Sequence, residues 1–551
     1  MKPYATSDFE TDPFRAGRIP QVFAAGFHDG TRTALFWGDD CLAQWWAMAQ
    51  KFDGLIYFHN GGQFDFHYLF AHLPMQDCKI QIQGERIVKI ETPFGCELRD
   101  SFAIVPRSLS AWEKAEISYR VFEPELREAN KDKIMRYLGT DLINSREMLT
   151  AFFERHPRQN LTLAGATFSA LRKATPLAIP STGKWFDQQH RPYLFGGRCQ
   201  FYGLGQIQCP VHVLDINSAY PAAMLRPHWS GKFSTIYGRP PAANMEQSLL
   251  DVTCEAAGCF PLRIGTEVLF PHGKNRFLVT GWEFVAAQEL GLVSDVTFNS
   301  IETPDETQSF GEFVEPLYRA KQNAPTEEEK FFAKLELNAL WGKFGIQPER
   351  QQVIQITKYG KLLRSPWRLR YDDLDRGLTV WSRPAHTGRT KEEAIAAGDQ
   401  PDPILRYNNV ATAASISGQV RAKLLRGLNQ AVAPLYCDTD SLFVNDDALA
   451  MFDTGPNLGQ WRHDFTFEKL WIGGKKLYVG WGYDPSVTPR KYEWKTASKN
   501  IRLSAGKLRQ ICAGRSVRQV QAAPTFSLFN APSFTGRRIA RAQEAQISVN
   551  P

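Results

Sequence analysis

The sequence predicts a multidomain α/β protein, and three observations carry that prediction. The chain has 551 residues, 43% hydrophobic and 12% aromatic, which is more ordered chain than one hydrophobic core accommodates. Apolar β-favouring runs end on acids at VHVLDI (211–216) and LYCDTDSLFV (435–444), the pattern of buried strands. A stretch with helical spacing, TEEEKFFAKLELNALWGKFG (326–345), begins with Thr326 and Glu329 in capping-box positions behind Pro325.

Composition narrows the class of function. No run of about 18 apolar residues occurs, and the N-terminus MKPYATSDFETD lacks the basic-then-apolar pattern of a secretion signal. A cytoplasmic protein with no membrane partner is expected. The nine cysteines are scattered, odd in number and without a CxxC pair, so neither a disulfide framework nor a zinc site is expected. Residues 471–551 hold 14 Lys and Arg against 3 acids, which leaves the other 470 residues slightly acidic within a total of +7. A basic C-terminal fifth in which Lys and Arg alternate with Tyr, Trp and Leu suggests contact with a polyanion.

Taken in order, the elements place chemistry at three points. VLDINSAYPAAM (213–224) delivers Asp215 at the end of a buried strand, then turns into a helix near Pro221, with Tyr220 close behind. A buried acid needs a partner or a metal, although helix capping alone also explains an aspartate there. In the 326–345 helix, Lys330, Lys334 and Asn338 fall at i, i+4 and i+8 with Trp341 nearby. That stripe suits a triphosphate or a solvated face equally well. Asp438 and Asp440 lie two apart in a strand–turn–strand, so alternation puts both on one side. Like charges that close need a cation between them, and hard oxygens suit Mg²⁺; an acidic surface hairpin is the plain alternative.

Together, DINSAYP, KLELNALWG and YCDTDS resemble the A, B and C motifs of family B DNA polymerases, DxxSLYP, KxxxNSxYG and YxDTDS. The N-terminal third is similar to the family's 3′–5′ exonuclease. DFE supplies Asp8 and Glu10, HNGGQFD supplies His59, Asn60, Phe64 and Asp65, and YLGTD supplies Tyr137 and Asp141. RDSFAIVP places Ser101, and KAEISY places Lys114, where the family binds single-stranded DNA and assists cleavage. YLFGGR resembles the YxGG linker through Gly196, Gly197 and Arg198, with Leu194 at the usual tyrosine; KKLYVG resembles the KxY motif through Lys476 and Tyr478. Trp341 stands where the family has tyrosine.

The resemblance implies a ribonuclease H-like DEDDy exonuclease domain at 1–185, followed by a right-hand palm, fingers and thumb with two insertions. It implies palm at 186–257 and 406–457, fingers at 311–345, and thumb and tail at 458–551. Insertions at 258–310 and 346–405 resemble those of the protein-primed branch, whose first insertion meets the terminal protein and whose second encircles DNA. Implied roles are metal ligation by Asp215, the Ile216 carbonyl and Asp440 with Asp438 alongside, and by Asp8, Glu10, Asp65 and Asp141 in the nuclease. Tyr137 orients the attacking water. Tyr220, Lys330, Lys334, Asn338 and Trp341 meet the incoming nucleotide. Two Mg²⁺ per site, replaceable by Mn²⁺, are implied cofactors. DNA, dNTPs and a terminal protein are implied partners of a monomer working in the host cytoplasm. A primer-independent family B primase-polymerase and a non-catalytic DNA-binding relative are the competing readings.

Overall fold

The computed structural model describes residues 1–13, 20–73, 75–84, 86–107, 117–174, 182, 184–347, 351–385, 408–498, 503–521 and 543–547. Lys114, and the tail from Ala522 expected to be loosely ordered, lie outside the described residues apart from 543–547. The chain forms two compact units, one from Met1–Ala170 with Gln347–Ile404, the other chiefly from Leu171–Ile346 with Leu405–Gln519. All nine cysteines are free thiols.

The first unit is built on a ten-stranded sheet. Its centre is parallel: Tyr4–Thr11 pairs with Leu55–Phe58, which pairs with Glu97–Asp100. These short strands are buried on both faces, as Leu55, Ile56, Tyr57 and Phe58 show, and helices Cys41–Ala49, Asp65–His72 and Lys131–Arg155 accompany them. Trp45, Phe9, Phe58 and Phe66 pack edge to face through this core. The expected second insertion contributes three strands here. Gln351–Lys358 pairs with Lys79–Gln83 and carries Leu378–Pro384 and Arg368–Asp373 beyond it. Alternation in QQVIQITK explains the docking, because it buries Ile354 and Ile356 against the N-terminal core.

The second unit has an eight-stranded sheet with Val211–Ile216 near its middle. Ser441–Val444 flanks it on one side and Trp461–Gly474 on the other, both antiparallel. A separate four-stranded sheet runs His228–Ile236, Val293–Gln308, Leu249–Ala257, His272–Thr280. The boundary expected at 257/258 therefore falls inside one sheet: strands 228–236 and 249–257 are hydrogen-bonded partners of the segment read as the first insertion. Helix Val410–Gln430 is buried along most of its length because Ala, Ser, Thr and Gly let neighbours approach closely. Its Arg421, 3% exposed, pairs with Glu283 and donates to the carbonyls of Phe195 and Gly196. One guanidinium thus ties the glycine linker to this helix. Helices Gly311–Gln322 and Glu327–Ala339 pack on each other. The second ends at Ala339, earlier than the pattern indicated, and Trp341–Lys343 forms a 3₁₀ turn.

Candidate active sites

In the first unit one strand and two helices bring acids together. Asp8 and Glu10 share a face of Tyr4–Thr11, Asp65 opens helix Asp65–His72, and Tyr137 and Asp141 sit one turn apart on Lys131–Arg155. Asp65 is 2% exposed, and burial, then the Asp8 charge, push its carboxyl well above the usual range. Burial, then Asp141, raises the Tyr137 phenol, and Glu10 adds to that rise. Asp8 is thus near enough for its charge to be felt at Asp65, and Asp141 and Glu10 near enough to be felt at Tyr137.

The residues expected to hold single-stranded DNA line an adjacent rim. Asn60 adopts a left-handed φ of 66°, which asparagine tolerates better than most residues. His59 Nδ1 lies 3.0 Å from Ser101 Oγ, and its Nε2 lies 2.7 Å from the Arg107 carbonyl. Ser101 also donates to the Phe58 carbonyl and is 1% exposed. Its hydroxyl is therefore engaged in placing His59, whereas the sequence pointed to a direct DNA contact. Phe64 packs edge to face on Tyr68 against the core.

In the second unit Asp215 lies on strand Val211–Ile216 and Asp440 in the turn that opens its neighbour, Ser441–Val444. Asp215 is opposite Ser441 in register, and the Ile216 amide donates to the Asp440 carbonyl at 2.8 Å. Burial, then Asp440, push the Asp215 carboxyl up to about 7, while Arg462, 3.9 Å away, opposes the rise. Burial also raises Asp440, with Asp438 contributing. Asp438 and Asp440 bracket a tight turn, and the Asp438 charge is felt at Asp440. Thr439 takes a φ of 63°, and the Asp440 amide turns back onto the Asp438 carbonyl at 2.7 Å. That tight turn breaks the alternation, so Asp438 faces Lys476, whose ammonium is 2.9 Å from both carboxylate oxygens. Burial depresses Lys476, but the Asp438 bonds outweigh it and raise the ammonium overall.

Lys476 and Tyr478, the pair of the KxY-like motif, do not sit together in one strand. Lys476 occupies the turn before Leu477–Tyr483 with a φ of 53°. Burial, then Asp438, push the Tyr478 phenol up to about 12, so the Asp438 charge reaches both residues. Gly197 fits the same corner: a Cβ there would stand 2.6 Å from the Thr439 side chain, and the Thr439 amide donates to the Arg198 carbonyl. Gly196 has open space around it and accepts from Arg421. Arg198, expected at a phosphate, is 5% exposed, bonds Gln200 and Tyr202, and stacks 4.2 Å from the Phe270 ring. Its aliphatic stem and planar head fill an interior slot instead.

Lys330, Lys334 and Asn338 form the expected exposed stripe, while Phe332 and Leu337 bury the other face. Lys330 pairs with Glu327 one turn back. The Tyr220 and Trp341 rings stack at 4.2 Å and 5°, and burial pushes the Tyr220 phenol up to about 12, with Asp440 and Asp438 adding to it against Arg421. Sequence reading missed Lys321. It bonds Ser218 Oγ at 3.1 Å, and its ammonium is depressed by burial, then by Lys334 and Arg462. The missed signal was the i, i+3 pairing of Tyr318 and Lys321 in a second helix facing Asp215. Arg462 and Lys495, both on Asp464, complete a cationic border that spacing does not reveal. Among the described residues no three His, Cys, Asp or Glu side chains cluster in a metal-holding group; carboxylates meet as pairs. No helix there is long and apolar enough to cross a membrane.

Comparison with known proteins follows the same lines. Residues 127–416, more than half of the chain, match the family model for DNA polymerase type B, organellar and viral. The class is thus a template-copying polymerase. The DNA-directed DNA polymerase of Enterobacteria phage PRD1 is 32% identical over 97% of this chain and 97% of its own. Phi29 DNA polymerase with primer-template DNA superposes over 100% of both chains at a TM-score of 0.71 and 16% identity. Its ternary complex with primer-template DNA and incoming nucleotides does so at 0.72 and 15%. The chain belongs to the type B DNA polymerases and is a replicative DNA-directed DNA polymerase of the protein-primed phage type.

Proposed function

We propose that the second unit joins deoxyribonucleotides at Asp215 and Asp440 and that chains begin on the hydroxyl of a terminal protein. The first unit then removes mismatched 3′ ends at Asp8, Glu10, Asp65 and Asp141. One observation carries the polymerase reading: the half-buried carboxyls of Asp215 and Asp440 are both pushed up by burial and then by a neighbouring acid, while the Lys321 and Arg462 charges lie close to Asp215 and Lys334 lies close to Lys321. That is a site built for a divalent cation and a polyanion together.

The donor set fits Mg²⁺, with Mn²⁺ as substitute. Asp215, Asp440 and the Ile216 carbonyl supply hard oxygens, and a dication held there would offset the burial and the Asp440 charge that push Asp215 up to about 7. Bound there, two such ions lower the pKa of the attacking hydroxyl and neutralise charge on the triphosphate. In the nuclease Asp65 and Asp8 would supply a carboxylate pair for such an ion, with Glu10 and Asp141 beside Tyr137 as the further acids. Lys476 holds Asp438 aside and, with Tyr478, borders the primer terminus. Lys321 and Lys334 hold phosphates as point charges. Tyr220 lies beneath the sugar, where its ring excludes a 2′-hydroxyl, and Asn338 and Trp341 line the nascent pair. Tyr137 orients the water that attacks the terminal phosphodiester.

In domain terms the first unit holds the exonuclease and the strands of the second insertion. The second unit holds the palm on the eight-stranded sheet, the fingers at 311–345, and the thumb from 458. The four-stranded sheet is the surface offered to the terminal protein. The protein acts as a monomer on DNA and dNTPs in the host cytoplasm. Extension of a primed template with Mg²⁺ by the wild type and by Asp215→Ala tests the central claim. Equal extension by both would overturn it.

A further inference from the structure

Arg86 lies outside every motif that the sequence brought forward, yet it joins both loops of the single-strand rim. It opens strand Arg86–Glu91, and its Nη1 donates to Asn60 Oδ1 at 2.9 Å and to the Asp100 carboxylate. The guanidinium carbon stands 4.8 Å from the centre of the Phe102 ring. Asp100 is 1% exposed and also accepts from the Phe102 amide at 2.9 Å, so it is a fixed anchor for the arginine. Gly62 keeps the gap closed: a Cβ there would meet Asp100 at 2.6 Å and the Ile87 carbonyl at 1.9 Å. Burial raises the Asp100 carboxyl despite the opposing Arg86 charge, which makes this pair costly to keep unless it serves a purpose.

The chemistry supplies that purpose. Arginine carries donors only, whereas an asparagine amide presents an oxygen at one end and NH₂ at the other. A guanidinium on Oδ1 fixes which way the amide lies and turns its NH₂ away from the arginine, as a donor to acceptors on the nucleic acid. We propose that Arg86 is a positioning residue for 3′-terminal single-stranded DNA, acting through Asn60: it sets the amide as a donor while bracing the Asp100–Phe102 loop. The proposal rests on the exonuclease reading of this unit.

The test measures binding apart from cleavage. Anisotropy of a labelled oligo(dT) is titrated in an Asp65→Ala background, and single-turnover degradation is followed in the otherwise wild-type chain. Primed-template extension checks folding. Arg86→Ala should weaken oligonucleotide binding about tenfold, the range for a hydrogen bond to a charged group, while the degradation rate at saturation changes by less than about twofold. Asn60→Ala should give the same loss, and the double variant no more than either. Arg86→Lys keeps a charge beside Asp100 but not the planar fork, so it should behave as Arg86→Ala. Since Arg86→Ala leaves a buried carboxyl unpaired, Arg86→Ala/Asp100→Asn removes both charges and should bind as weakly.

Additive losses in the double variant, or full recovery by lysine, would overturn the proposal and leave Arg86 a charge partner for Asp100. So would wild-type binding by Arg86→Ala/Asp100→Asn. If Asp65→Ala degrades DNA as well as the wild type, the nuclease reading fails. The binding titration still reports on Arg86 in that case.

Discussion

The two carboxylate sites differ in how they treat their own charge. In the first unit Asp65 is almost wholly buried, and after burial its largest perturbation is another acid, Asp8. In the second unit the Asp215 side chain keeps 31% of its exposure, with Arg462 3.9 Å away and Lys476 on the neighbouring Asp438. A site that hydrolyses needs only a metal, a water and a strand end. A site that polymerises must also seat a triphosphate and release pyrophosphate, so cations surround it before substrate arrives. The acids of the first unit are therefore the more deeply buried, and those of the second unit the more closely bordered by cations.

The largest expected effect separates the sites outright. Asp440→Ala should reduce primer extension by at least about a thousandfold, the scale of losing a principal electrostatic contact, while degradation of single strands persists. Asp65→Ala should do the reverse. Gel assays of both activities on both variants are decisive; loss of both activities from either change would mean that the units do not work as separate centres.

How much of this was legible in the sequence depends on whether neighbours in space were neighbours in the chain. Asp215 and Asp65 were, because each sits near the end or start of a regular element whose pattern is local: Asp215 within VHVLDI, Asp65 at the head of an apolar helix. Lys321, Arg462 and Arg86 were not. Their partners Ser218, Asp215 and Asp100 lie 14 to 247 positions away, and only helix packing, for Lys321, and sheet pairing, for Arg462 and Arg86, bring them together. The Asp438 contact with Lys476 was hidden for a different reason: alternation assumes extended backbone, and Thr439 at φ 63° is not extended. The docking of 351–384 on the N-terminal sheet was likewise invisible, since the sequence shows that strands exist but not which edge receives them.

Acidity should sharpen the contrast next. Asp215 keeps its proton to about pH 7 in the folded chain, against about 3.8 when unfolded. Between those values the native state binds more protons than the unfolded one, so stability falls as pH rises through the window. At about 1.4 kcal/mol per pH unit, the penalty approaches roughly 4 kcal/mol by pH 8. Asp215→Asn should therefore raise Tm in EDTA at pH 8, with the gain vanishing near pH 4. Mg²⁺ should stabilise the wild type more than the variant. Asp65→Asn should stabilise in the same direction, because burial and Asp8 raise it as well. Thermal melts across pH settle both; a lower Tm for Asp215→Asn at pH 8 would contradict the charge balance described here.

A smaller effect tests the cationic border. Lys321→Ala should raise KM for the incoming nucleotide about tenfold, the value of a charge-assisted contact, and leave single-strand degradation unchanged. Lys330→Ala should change KM far less, since its ammonium is already paired with Glu327 at the exposed start of its helix. Steady-state kinetics at saturating primed template distinguishes the two. Equal losses would mean that Lys330 abandons Glu327 for the phosphates.

The smallest effect concerns the stacked rings. Tyr220 and Trp341 lie face to face at 4.2 Å, yet both are expected to line the pocket for sugar and base. A nucleotide entering that pocket must part them, and its apparent affinity is reduced by whatever the stack is worth. Aromatic pairs contribute about 0.5–1.5 kcal/mol, and the larger indole sits toward the upper end of that range. Trp341→Tyr weakens the stack while keeping an aromatic surface for the base, so KM for the nucleotide should fall by about two- to threefold with kcat unchanged. The sign of the change is what matters. A rise in KM would mean that the indole gives more to the bound base than it withholds by stacking on Tyr220.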